Sequence, residues 1–526
     1  MNFQQLLDGV EVLFRQGDAA ILGLEYDSRR IQPGYGFVAM KGGVTDGNRY
    51  IDSALSRGAV AVFSDSAAPP PREDIAWVHV PHGRRALARL SANFYKRPAE
   101  RLATVGITGT NGKSTTAMLV EAILKAARRK TALIGTIEYR IADRVIAAPH
   151  TTPEALELNQ FFAQAVALGV TEAIMEVSSH ALAQERVFGI PYDVAVFTNL
   201  TRDHLDYHHT LDEYFEAKKM LFLGVGTEPP RVAIVNLDDA YGLRLKQSIN
   251  SHSSLIYTYG LASGDFHAAN IDIGLNGTRF DLVTPTGTLP LFSPLIGRVN
   301  VYNIMAAAAA AYARGISLEA IEAGILQLAR VAGRFEPVDS GQPFTVVVDY
   351  AHTDDALRNL TALAREFVGR SPAQPGRVIT LFGCGGDRDR AKRPLMAEAA
   401  GRNSDFVVLT SDNPRSEDPQ AILSEALPAL RNTGVEFTVE PDRREAIRAA
   451  LRQAQPGDIV LLAGKGHEKV QILREGPVPF DDVEVARDLL SSLGYSGSSI
   501  GHNSQGPQSR RPGSSRPGTS RPGTSK

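Results

Sequence analysis

The stretch G-I-T-G-T-N-G-K-S-T-T runs from Gly106 to Thr116 and decides the fold. It begins in a short apolar run, Ala103–Ile107, and leads into Thr115–Ala127, whose apolar residues recur at helical spacing. Glycines let backbone N–H groups turn toward phosphates, and a helix N-terminus adds the positive end of its dipole. The order strand, glycine loop, helix therefore predicts a nucleotide-binding loop. Its members are Gly109, Thr110, Asn111, Gly112, Lys113, Ser114 and Thr115.

Two side chains of this loop carry its expected chemistry. Lys113 is predicted to reach the β- and γ-phosphates, and the Ser114 hydroxyl to bind Mg²⁺. The strict pattern has a glycine five residues before Gly112, where this chain has Ile107, so the loop is a variant. The alternative is a tight strand-to-helix turn that contains a lysine by chance.

Alternating strands and helices continue along the chain and predict parallel α/β sheets. The stretch from Gly274 to Leu291 differs, because its alternating residues and turn signals indicate an antiparallel excursion. The expected strands are Ala103–Ile107, Ala173–Val177, Val194–Thr198, Val232–Asn236, Phe344–Asp349, Val378–Phe382, Phe406–Thr410 and Ile459–Ala463. The expected helices include Thr115–Ala127, Ala356–Phe367 and Arg444–Gln453.

Composition shifts divide the chain. Boundaries near Pro98 and Ala332 give three domains, at residues 1–98, 99–331 and 332–495. Residues 496–526 contain R-P-G-S-S and two copies of R-P-G-T-S, with four Arg, one Lys and no acidic residue. A segment of this composition cannot bury a core, so we expect a disordered, solvated tail.

The bulk composition excludes several classes of protein. The 526 residues are 43% hydrophobic, which is typical of a soluble globular protein. Their net charge of −2 gives no strong attraction to nucleic acid or to anionic membranes. A single cysteine, Cys384, excludes an internal disulfide and fits a reducing compartment. The N-terminus has no basic segment followed by an apolar one, and no apolar run is long enough to span a bilayer. We expect a cytoplasmic enzyme, without nucleic-acid partners or membrane insertion, and monomeric.

Polar residues follow two further expected strands. Met175–His180 reads M-E-V-S-S-H, and Asn199–His209 reads N-L-T-R-D-H-L-D-Y-H-H. Ligands of open α/β sheets bind at the carboxyl ends of strands, so Glu176 and His204 are candidates to hold Mg²⁺ beside the phosphates. The alternative is that either side chain caps a helix or satisfies a buried backbone group.

The ordered set of motifs resembles the Mur ligase family over roughly residues 20 to 490. The resemblance rests on G-T-N-G-K-S, T-T-P at 151–153, M-E-V-S-S-H, D-H-L-D-Y-H, G-R-V-N-V-Y-N at 297–303, G-R-F-E at 333–336, D-Y-A-H-T at 349–353, G-C-G-G-D-R-D-R at 383–390, D-N-P-R at 412–415 and G-K-G-H-E at 464–468. It implies an N-terminal α/β domain for the UDP end of the substrate, a central P-loop ATPase domain with a parallel sheet, and a C-terminal Rossmann-like domain that binds an amino acid.

The resemblance also implies an activity and substrate contacts. ATP would phosphorylate the side-chain carboxylate of D-glutamate in UDP-MurNAc-L-Ala-D-Glu, and an amine would attack the acyl phosphate to form an amide in peptidoglycan synthesis. The UDP-linked substrate would meet Ser28, within Asp27–Arg29, and the stretch Lys41–Asn48. The muramoyl dipeptide would be held by Thr151, Thr152, Ser179, Gln184 and Arg186. ATP would also meet Asn303, Arg334, Asp349 and His352, or these residues would orient the central and C-terminal domains.

Lys218, in Y-F-E-A-K-K, matches the lysine that the family carbamylates with CO₂. A carbamate turns a cation into an anion that can bind or orient Mg²⁺. Together with Lys113, Glu176 and His204, this lysine completes the implied catalytic set. Lys219 stands next to it, and the alternative is an exposed helical lysine.

D-N-P-R resembles the branch of the family that adds meso-diaminopimelate, whose second amino-acid head carries a carboxylate. Arg415 and Arg390 are expected to pair with that carboxylate, and Asp412, Asn413 and Glu468 to accept from its ammonium, beside Gly464. The alternative substrate is lysine, and Asp-Asn-Pro is also strong turn chemistry.

The sequence departs from the family at Asp354 and Ala391, where proline and glycine are common, and both are expected in loops beside the site.

His204 and His352 are the candidate bases that would accept a proton from the attacking amine. We also expect the C-terminal domain to close on its substrates. The rivals are another amino-acid ligase of the superfamily, such as folylpolyglutamate synthase, a nucleotide-hydrolysing regulatory protein, and a scaffold acting through its basic tail.

Overall fold

Three mixed sheets organise the chain. A computed structural model describes residues 1–43, 45–67, 74–249, 254–368 and 376–495. The sheets lie within residues 14–79, 103–293 and 336–463. The expected boundaries at Pro98 and Ala332 fall between them. The predicted tail at 496–526 lies outside the described residues.

The first sheet has five strands in the order β1-β5-β4-β3-β2, and only the β1–β5 pair is antiparallel. The strands are β1 Phe14–Gln16, β2 Gly23–Glu25, β3 Tyr35–Ala39, β4 Ala61–Ser64 and β5 Ala76–His79. The helices are α1 Phe3–Leu6, α2 Ile51–Ser56 and α3 Gly83–Phe94, with 3-10 turns at Ser28–Arg30, Gly47–Tyr50 and Pro98–Arg101.

The second sheet has eleven strands in the order β16-β15-β14-β13-β12-β11-β6-β10-β7-β8-β9. Strands β14 to β7 along this order are parallel, and both flanks are antiparallel. The strands are β6 Ala103–Thr108, β7 Thr131–Ile134, β8 Glu138–Ile141, β9 Arg144–Ala147, β10 Glu172–Glu176, β11 Val194–Phe197, β12 Val232–Asn236, β13 Leu255–Gly260, β14 Phe266–Gly274, β15 Gly277–Thr284 and β16 Gly287–Ser293. The helices are α4 Lys113–Ala126, α5 Ala155–Ala167, α6 Ser179–Ala183, α7 Leu205–His208, α8 Leu211–Leu223, α9 Ala240–Ile249, α10 Arg298–Ala313 and α11 Leu318–Gln327.

The third sheet has six strands in the order β17-β18-β22-β19-β20-β21, and only the β17–β18 pair is antiparallel. The strands are β17 Glu336–Val338, β18 Thr345–Asp349, β19 Val378–Cys384, β20 Phe406–Ser411, β21 Glu436–Val439 and β22 Ile459–Ala463, followed by the hairpin β23 Val470–Leu473 and β24 Gly476–Pro479. The helices are α12 Asp354–Val368, α13 Lys392–Arg402, α14 Pro419–Asn432, α15 Arg443–Gln453 and α16 Asp482–Ser492.

The central core places the nucleotide-binding loop. Val105 and Ile107 of β6 pack with Leu119 and Ile123 of α4 and with the buried alanines of α10, Ala306–Ala311. Small side chains let α10 lie close to α4, because little volume separates the two helices. No helix within the described ranges is long and apolar enough to cross a membrane.

The α/β class and the antiparallel excursion are confirmed, since β14, β15 and β16 form antiparallel neighbours. The expectation that Asp354 lies in a loop is wrong. Asp354 is the first residue of α12, because Thr353 Oγ1 accepts a hydrogen bond from Ala356 N at 3.1 Å and starts the helix there. Ala391 lies in the turn before α13, as its N-cap residue, which agrees with the expectation for that position.

Candidate active site

The nucleotide-binding loop lies at the carboxyl end of β6, between the ends of β11 and β10. Two of its glycines have backbones that other residues cannot adopt there. A Cβ on Gly109 (φ +150°) would lie 1.8 Å from Thr198 Oγ1, and one on Gly112 (φ +89°) would lie 2.4 Å from Asn303 Oδ1. Thr110 N donates to Asn199 O at 2.8 Å, which ties the loop to the end of β11. The loop is thus held open in the shape that presents backbone N–H groups.

Two lysines converge on the loop. Lys113 Nζ donates to Gly109 O at 3.0 Å and to Thr110 O at 2.8 Å, and Lys218 Nζ donates to Gly109 O at 2.7 Å. Burial lowers the pKa of Lys113, and burial together with Lys113 lowers the pKa of Lys218 well below its usual value. Lys218 is therefore not an exposed helical lysine, since its side chain is 1% exposed.

The candidate metal ligands lie around the same point. Glu176 Oε1 accepts from Thr136 N at 2.8 Å, and His204 Nε2 lies 3.5 Å from Asp203 Oδ2. Burial lowers the pKa of His204 to about 3, so its imidazole is neutral. No group of three or more His, Cys, Asp or Glu side chains within the described ranges could hold a metal ion by itself. Mg²⁺ at phosphate sites takes one or two protein ligands plus phosphate oxygens, and the donor set here, with the buried Ser114 hydroxyl, fits that requirement.

Four of the five expected dipeptide-binding residues form one hydrogen-bond network beyond the end of β10. Thr152 Oγ1 donates to Glu176 O at 2.8 Å, and Arg186 Nη1 donates to Thr152 O at 3.1 Å. Arg186 Nη2 also donates to Gln184 Oε1 at 2.7 Å. Thr151 is linked through Thr136 Oγ1 (3.0 Å), which donates to Glu176 Oε2. The fifth residue, Ser179, forms a separate hydrogen bond with His208 Nε2 at 2.9 Å.

Ser28 lies apart from this network, on the first sheet's side. It is buried in a 3-10 turn that Asp27 caps by accepting from Arg29 N at 3.0 Å. Arg30 Nη1 of the same turn contacts Glu157 Oε1 of α5 at 3.3 Å, which joins the turn to the second sheet's helices. Within the expected stretch Lys41–Asn48, Val44 lies outside the described residues.

Asp203 links the central site to the third sheet's side. Its Oδ1 accepts from Lys392 Nζ at 2.9 Å, and its Oδ2 lies 3.7 Å from His352 Nε2. Although burial acts to raise it, the neighbouring side chains of His204, His352 and the cationic Lys392 hold the pKa of Asp203 well below its usual value. Arg202 Nη2 donates to Asp389 Oδ2 at 3.1 Å beside this contact.

The other expected ATP contacts flank the loop from both sides. Asn303 Nδ2 donates to Asn300 Oδ1 at 3.0 Å, next to Gly112. Arg334 stacks over the Tyr350 ring at 4.7 Å, and Asp349 accepts from Phe335 N at 2.7 Å. The structure therefore brings these residues to the junction between the second and third sheets.

A cavity of about 210 Å³ lies at this junction. Its lining includes Asp412, Asn413, Arg415, Gly464 and Glu468, all expected from the sequence to meet the amino acid. The central site contributes Asp203, His204 and Asp206 to the same wall. The cavity is therefore shared between the phosphate-binding region and the third sheet.

Arg390 does not line this cavity. Its guanidinium is 67% exposed and pairs with Glu425. Arg388 lines the cavity instead, and Arg388 Cγ and Arg415 Nη1 would both contact a Cβ placed on Gly385, at 3.6 and 3.2 Å. The run D-R-D-R contains two arginines two residues apart, and charge alone could not tell which one faces inward.

Sequence reasoning also missed Asp203, Lys392 and Lys465. Asp203 precedes the expected His204, and Lys465 lies within G-K-G-H-E, so adjacency to expected residues was the available signal. The sequence around Lys392 carries no such signal, because its contact with Asp203 joins residues that are 189 positions apart in the chain.

Comparisons with known proteins find matches along most of the chain. Three Mur ligase family models match the chain: the Mur ligase family catalytic domain at residues 20–95, the Mur ligase middle domain at 107–311, and the Mur ligase glutamate ligase domain at 333–466. Together they span most of the described residues.

Individual relatives extend the match over nearly the whole length. The UDP-N-acetylmuramoyl-L-alanyl-D-glutamate–2,6-diaminopimelate ligase of Solibacter usitatus is 54% identical, over 94% of this chain and 99% of the relative. The ligase of the same name from Geobacter metallireducens is 47% identical, over 88% and 93%. A solved structure of a UDP-N-acetylmuramoyl-L-alanyl-D-glutamate–2,6-diaminopimelate ligase superposes with a TM-score of 0.66 at 34% identity, over 94% of this chain and 99% of that one.

Proposed function

The chain belongs to the Mur ligase family, an ATP-dependent, ADP-forming family of ligases, and we propose that it adds meso-diaminopimelate to UDP-MurNAc-L-Ala-D-Glu in peptidoglycan synthesis. The relatives that carry this activity in their names match over nearly their full length, so the proposal covers the whole reaction. The diaminopimelate proposal rests above all on the cavity at the junction, which pairs two arginines with a cluster of acidic and amide groups.

The two charge groups suit a zwitterionic head. Arg388 and Arg415 lie together beside Gly385 and offer donors to a carboxylate. Asp412 and Glu468 offer acceptors to an ammonium group. Lysine has no distal carboxylate and would leave both guanidinium groups unpaired, which disfavours it. We therefore assign Arg388, rather than Arg390, to the distal carboxylate.

The first chemical step is transfer of the γ-phosphoryl group of ATP to the side-chain carboxylate of the D-glutamate. The loop from Gly109 to Thr115 holds the phosphates, and Lys113 neutralises charge on the transferred group. Ser114, Glu176 and His204, with a modified Lys218, would hold Mg²⁺, which supplies further neutralisation when bound. Thr151, Thr152, Ser179, Gln184 and Arg186 hold the dipeptide so that its carboxylate points to the loop.

The second step is attack on the acyl phosphate by the amine of diaminopimelate. Phosphate leaves from the tetrahedral intermediate and an amide remains. The cavity holds the distal head of the amino acid, so the reacting amine is directed toward the wall formed by Asp203 and His204. His204 and His352 remain the candidate acceptors for the proton that the amine loses.

We propose that Lys218 is carbamylated. Two ammonium groups on the single carbonyl of Gly109 repel each other at close range, and burial already favours the neutral amine at Lys218. A neutral amine is the form that attacks CO₂. The resulting carbamate would place a negative charge beside Lys113 and near the candidate metal ligands.

Three domains carry these roles in the proposal. Residues 1–98 bind the UDP end through Ser28, residues 99–331 bind ATP through the loop and Asn303, and residues 332–495 bind the amino acid and contribute Arg334, Asp349 and His352 to ATP. The enzyme acts as a monomer in the cytoplasm, where ATP is available, and needs neither nucleic acid nor membrane insertion.

Phosphate release from ATP tests the proposal directly. The purified enzyme is given UDP-MurNAc-L-Ala-D-Glu with diaminopimelate, with lysine or with no amino acid. We expect strong release, together with a tripeptide product, with diaminopimelate, only slight release with lysine, and none without an amino acid. Release with lysine at equal efficiency would overturn the substrate assignment and keep the ligase mechanism. No release with either amino acid would overturn the proposed reaction.

A further inference from the structure

Lys465 is a lysine that the cavity does not touch but that organises the groups lining it. Its side chain is fully buried, and it is not among the cavity-lining residues. Its Nζ donates to Asn413 Oδ1 at 3.1 Å and to Glu468 Oε2 at 2.9 Å, and lies 3.9 Å from Asp412 Oδ1. One buried cation thus contacts all three groups expected to meet an ammonium.

The hydrogen bonds around Asn413 leave its side chain one orientation. Asn413 Oδ1 accepts from Lys465 Nζ and from Ile472 N at 2.9 Å, which uses both lone pairs of that oxygen. Its Nδ2 must therefore face Glu468, and it donates to Glu468 Oε2 at 2.9 Å. The amide is held by contacts on both sides, and without Lys465 only one acceptor bond would remain.

The same lysine holds Glu468. Both hydrogen bonds to that carboxylate fall on Oε2, which leaves Oε1 of this cavity-lining residue as a further acceptor. Although burial acts to raise it, Lys465 and Asn413 hold the pKa of Glu468 below its usual value. Glu468 therefore stays ionised beside the cavity.

Asp412 completes the cluster and has an unused acceptor. Its Oδ1 is buried and has no hydrogen-bond partner among the described residues. A buried acceptor without a donor costs free energy, which a cationic ligand would recover. Burial raises the pKa of Asp412, and an incoming ammonium group would favour its ionised form. With both carboxylates ionised, two carboxylates and one ammonium leave a net charge of −1, which suits one incoming ammonium group.

A second buried cation, Arg443, binds the ends of the two strands that precede these residues. Arg443 Nη1 donates to Ser411 O at 3.3 Å and Nη2 donates to Ala463 O at 3.0 Å, the last residues of β20 and β22. Asp412 follows the first strand and Gly464 the second. The backbone beneath the cluster is therefore fixed independently of Lys465.

We propose that Lys465 is a positioning residue that sets selectivity for the distal ammonium group of the amino-acid substrate. This inference rests on the proposed function. Lys465 orients Asn413 and Glu468 and offsets one of the two carboxylates, so that the remaining acceptors converge on one ammonium. Arg388 and Arg415 would recognise the distal carboxylate. Within the described part of the chain, neither arginine forms a hydrogen bond or ion pair with Lys465.

The test compares three amino acids on wild type and on Lys465→Met, which keeps the length of the side chain. Diaminopimelate carries both distal groups, 2-aminopimelate lacks the distal amine, and lysine lacks the distal carboxylate. For Lys465→Met we expect kcat/KM with diaminopimelate to fall roughly 10- to 100-fold. In this variant the ratio of kcat/KM for diaminopimelate to kcat/KM for 2-aminopimelate should fall toward one. The corresponding ratio for diaminopimelate over lysine, and the KM for ATP, should stay within about threefold of their wild-type values.

Two further variants keep the result interpretable. Lys469→Met is the matched control, because Lys469 lies in the same loop but is 66% exposed and pairs with Asp481, away from the cavity. It should retain wild-type selectivity. Asn413→Asp is isosteric and breaks the donation to Glu468, so it should lose selectivity for the distal amine even if Lys465→Met does not fold.

The outcomes separate the two claims. A wild-type enzyme that releases no phosphate with diaminopimelate would overturn the proposed function. An active wild type whose preference for the distal amine survives in Lys465→Met, or in Asn413→Asp where Lys465→Met does not fold, would overturn only the role of Lys465. An equal loss with all three amino acids in Lys465→Met would also overturn it, because it would indicate a purely structural role.

Discussion

The carbonyl oxygen of Gly109 accepts hydrogen bonds from two lysines, Lys113 at 3.0 Å and Lys218 at 2.7 Å. One carbonyl carries only a partial negative charge, which cannot offset two ammonium groups at close range. Lys113 Nζ also donates to Thr110 O at 2.8 Å, so a second carbonyl of the loop holds it in this position. At the scale of single residues, the site favours a change of charge on one of the two lysines.

Lys218→Arg should abolish carbamylation, because a guanidinium stays protonated and does not attack CO₂. We expect ligase turnover to fall on the order of 100-fold or more. Carbon-13 NMR with labelled bicarbonate should show a carbamate signal in the wild type that this variant lacks. Lys219→Arg is the matched control, since Lys219 is the next residue of α8 after Lys218 and pairs with Glu216 instead of the loop. Wild-type turnover in Lys218→Arg, or no carbamate signal in the wild type, would contradict the proposal.

The two arginines of D-R-D-R should behave differently. Arg388→Met removes a donor from the cavity wall, and we expect the KM for diaminopimelate to rise roughly 10- to 100-fold. Arg390→Met removes only an exposed pair with Glu425, so its KM should stay within about twofold of wild type. Steady-state kinetics at saturating ATP measure both, and the reverse order of effects would restore the assignment made from sequence.

At the scale of elements, helix α11 contacts the backbone of the phosphate-binding helix α4 through a glycine. A Cβ on Gly324 would lie 2.3 Å from Ile123 Cα. Because that neighbour is backbone rather than a flexible side chain, the two helices would have to separate. The position of α4, and with it the loop at its N-terminus, therefore depends on a residue far from the chemistry.

Gly324→Ala should move α4 and weaken nucleotide binding. We expect the protein to lose about 1–3 kcal/mol of stability, and the KM for ATP to rise more than the KM for diaminopimelate. Thermal unfolding and kinetics measure the two effects. Glu322→Ala lies on the exposed face of the same helix and should change stability by less than about 0.5 kcal/mol. Unchanged stability and kinetics in Gly324→Ala would show that the helices accommodate the methyl group.

Arg443 and Asp482 form a fully buried pair between α15 and α16, with contacts of 2.8 and 2.6 Å. Arg443→Met would leave Asp482 buried without its partner, which should cost about 3–5 kcal/mol. Hydrogen exchange of the amides of β20 and β22 would report the loss. Arg402→Met removes an exposed pair with Glu398 and should cost less than about 1 kcal/mol. Equal protection in both variants would argue against a role for the buried pair.

Much of the element order was readable from periodicity. The expected strand Val232–Asn236 has its observed bounds, and Ile459–Ala463 likewise, because buried parallel strands are short apolar runs between turn signals. The first residues of helices were harder to predict. The side-chain hydrogen bond of Thr353 starts α12, and the spacing of apolar residues does not indicate such a bond. In the site, contiguous motifs gave the loop, whereas the Asp203–Lys392 contact arises only from folding.

At the scale of the whole molecule, polar side-chain contacts join the regions of the second and third sheets around the site. Asp203 Oδ1 meets Lys392 Nζ at 2.9 Å, Arg202 meets Asp389 at 3.1 Å, and Asn111 Nδ2 of the phosphate loop donates to Asp355 Oδ2 at 3.1 Å. The last contact involves the loop itself. Nucleotide in the loop can therefore influence how the C-terminal region docks.

Lys392→Met should weaken this docking. We expect small-angle scattering of the wild type to show compaction on adding a non-hydrolysable ATP analogue with the UDP-dipeptide, and the variant to show less. The KM for diaminopimelate should rise as well, because Lys392 lines the shared cavity. Absence of ligand-induced compaction in the wild type would contradict closure itself, whereas equal compaction in both proteins would contradict only the role of Lys392.

The mixed charge of the cavity has a consequence for inhibitor design. Arginines and carboxylates share a wall of one small cavity, so a neutral compound would strip water from both and replace none of it. A competitive inhibitor of this cavity must therefore carry a cation and an anion at a fixed separation. Such zwitterions partition poorly into lipid. Given the proposed cytoplasmic location, an antibacterial agent directed here would have to enter the cell through an amino-acid or peptide transporter.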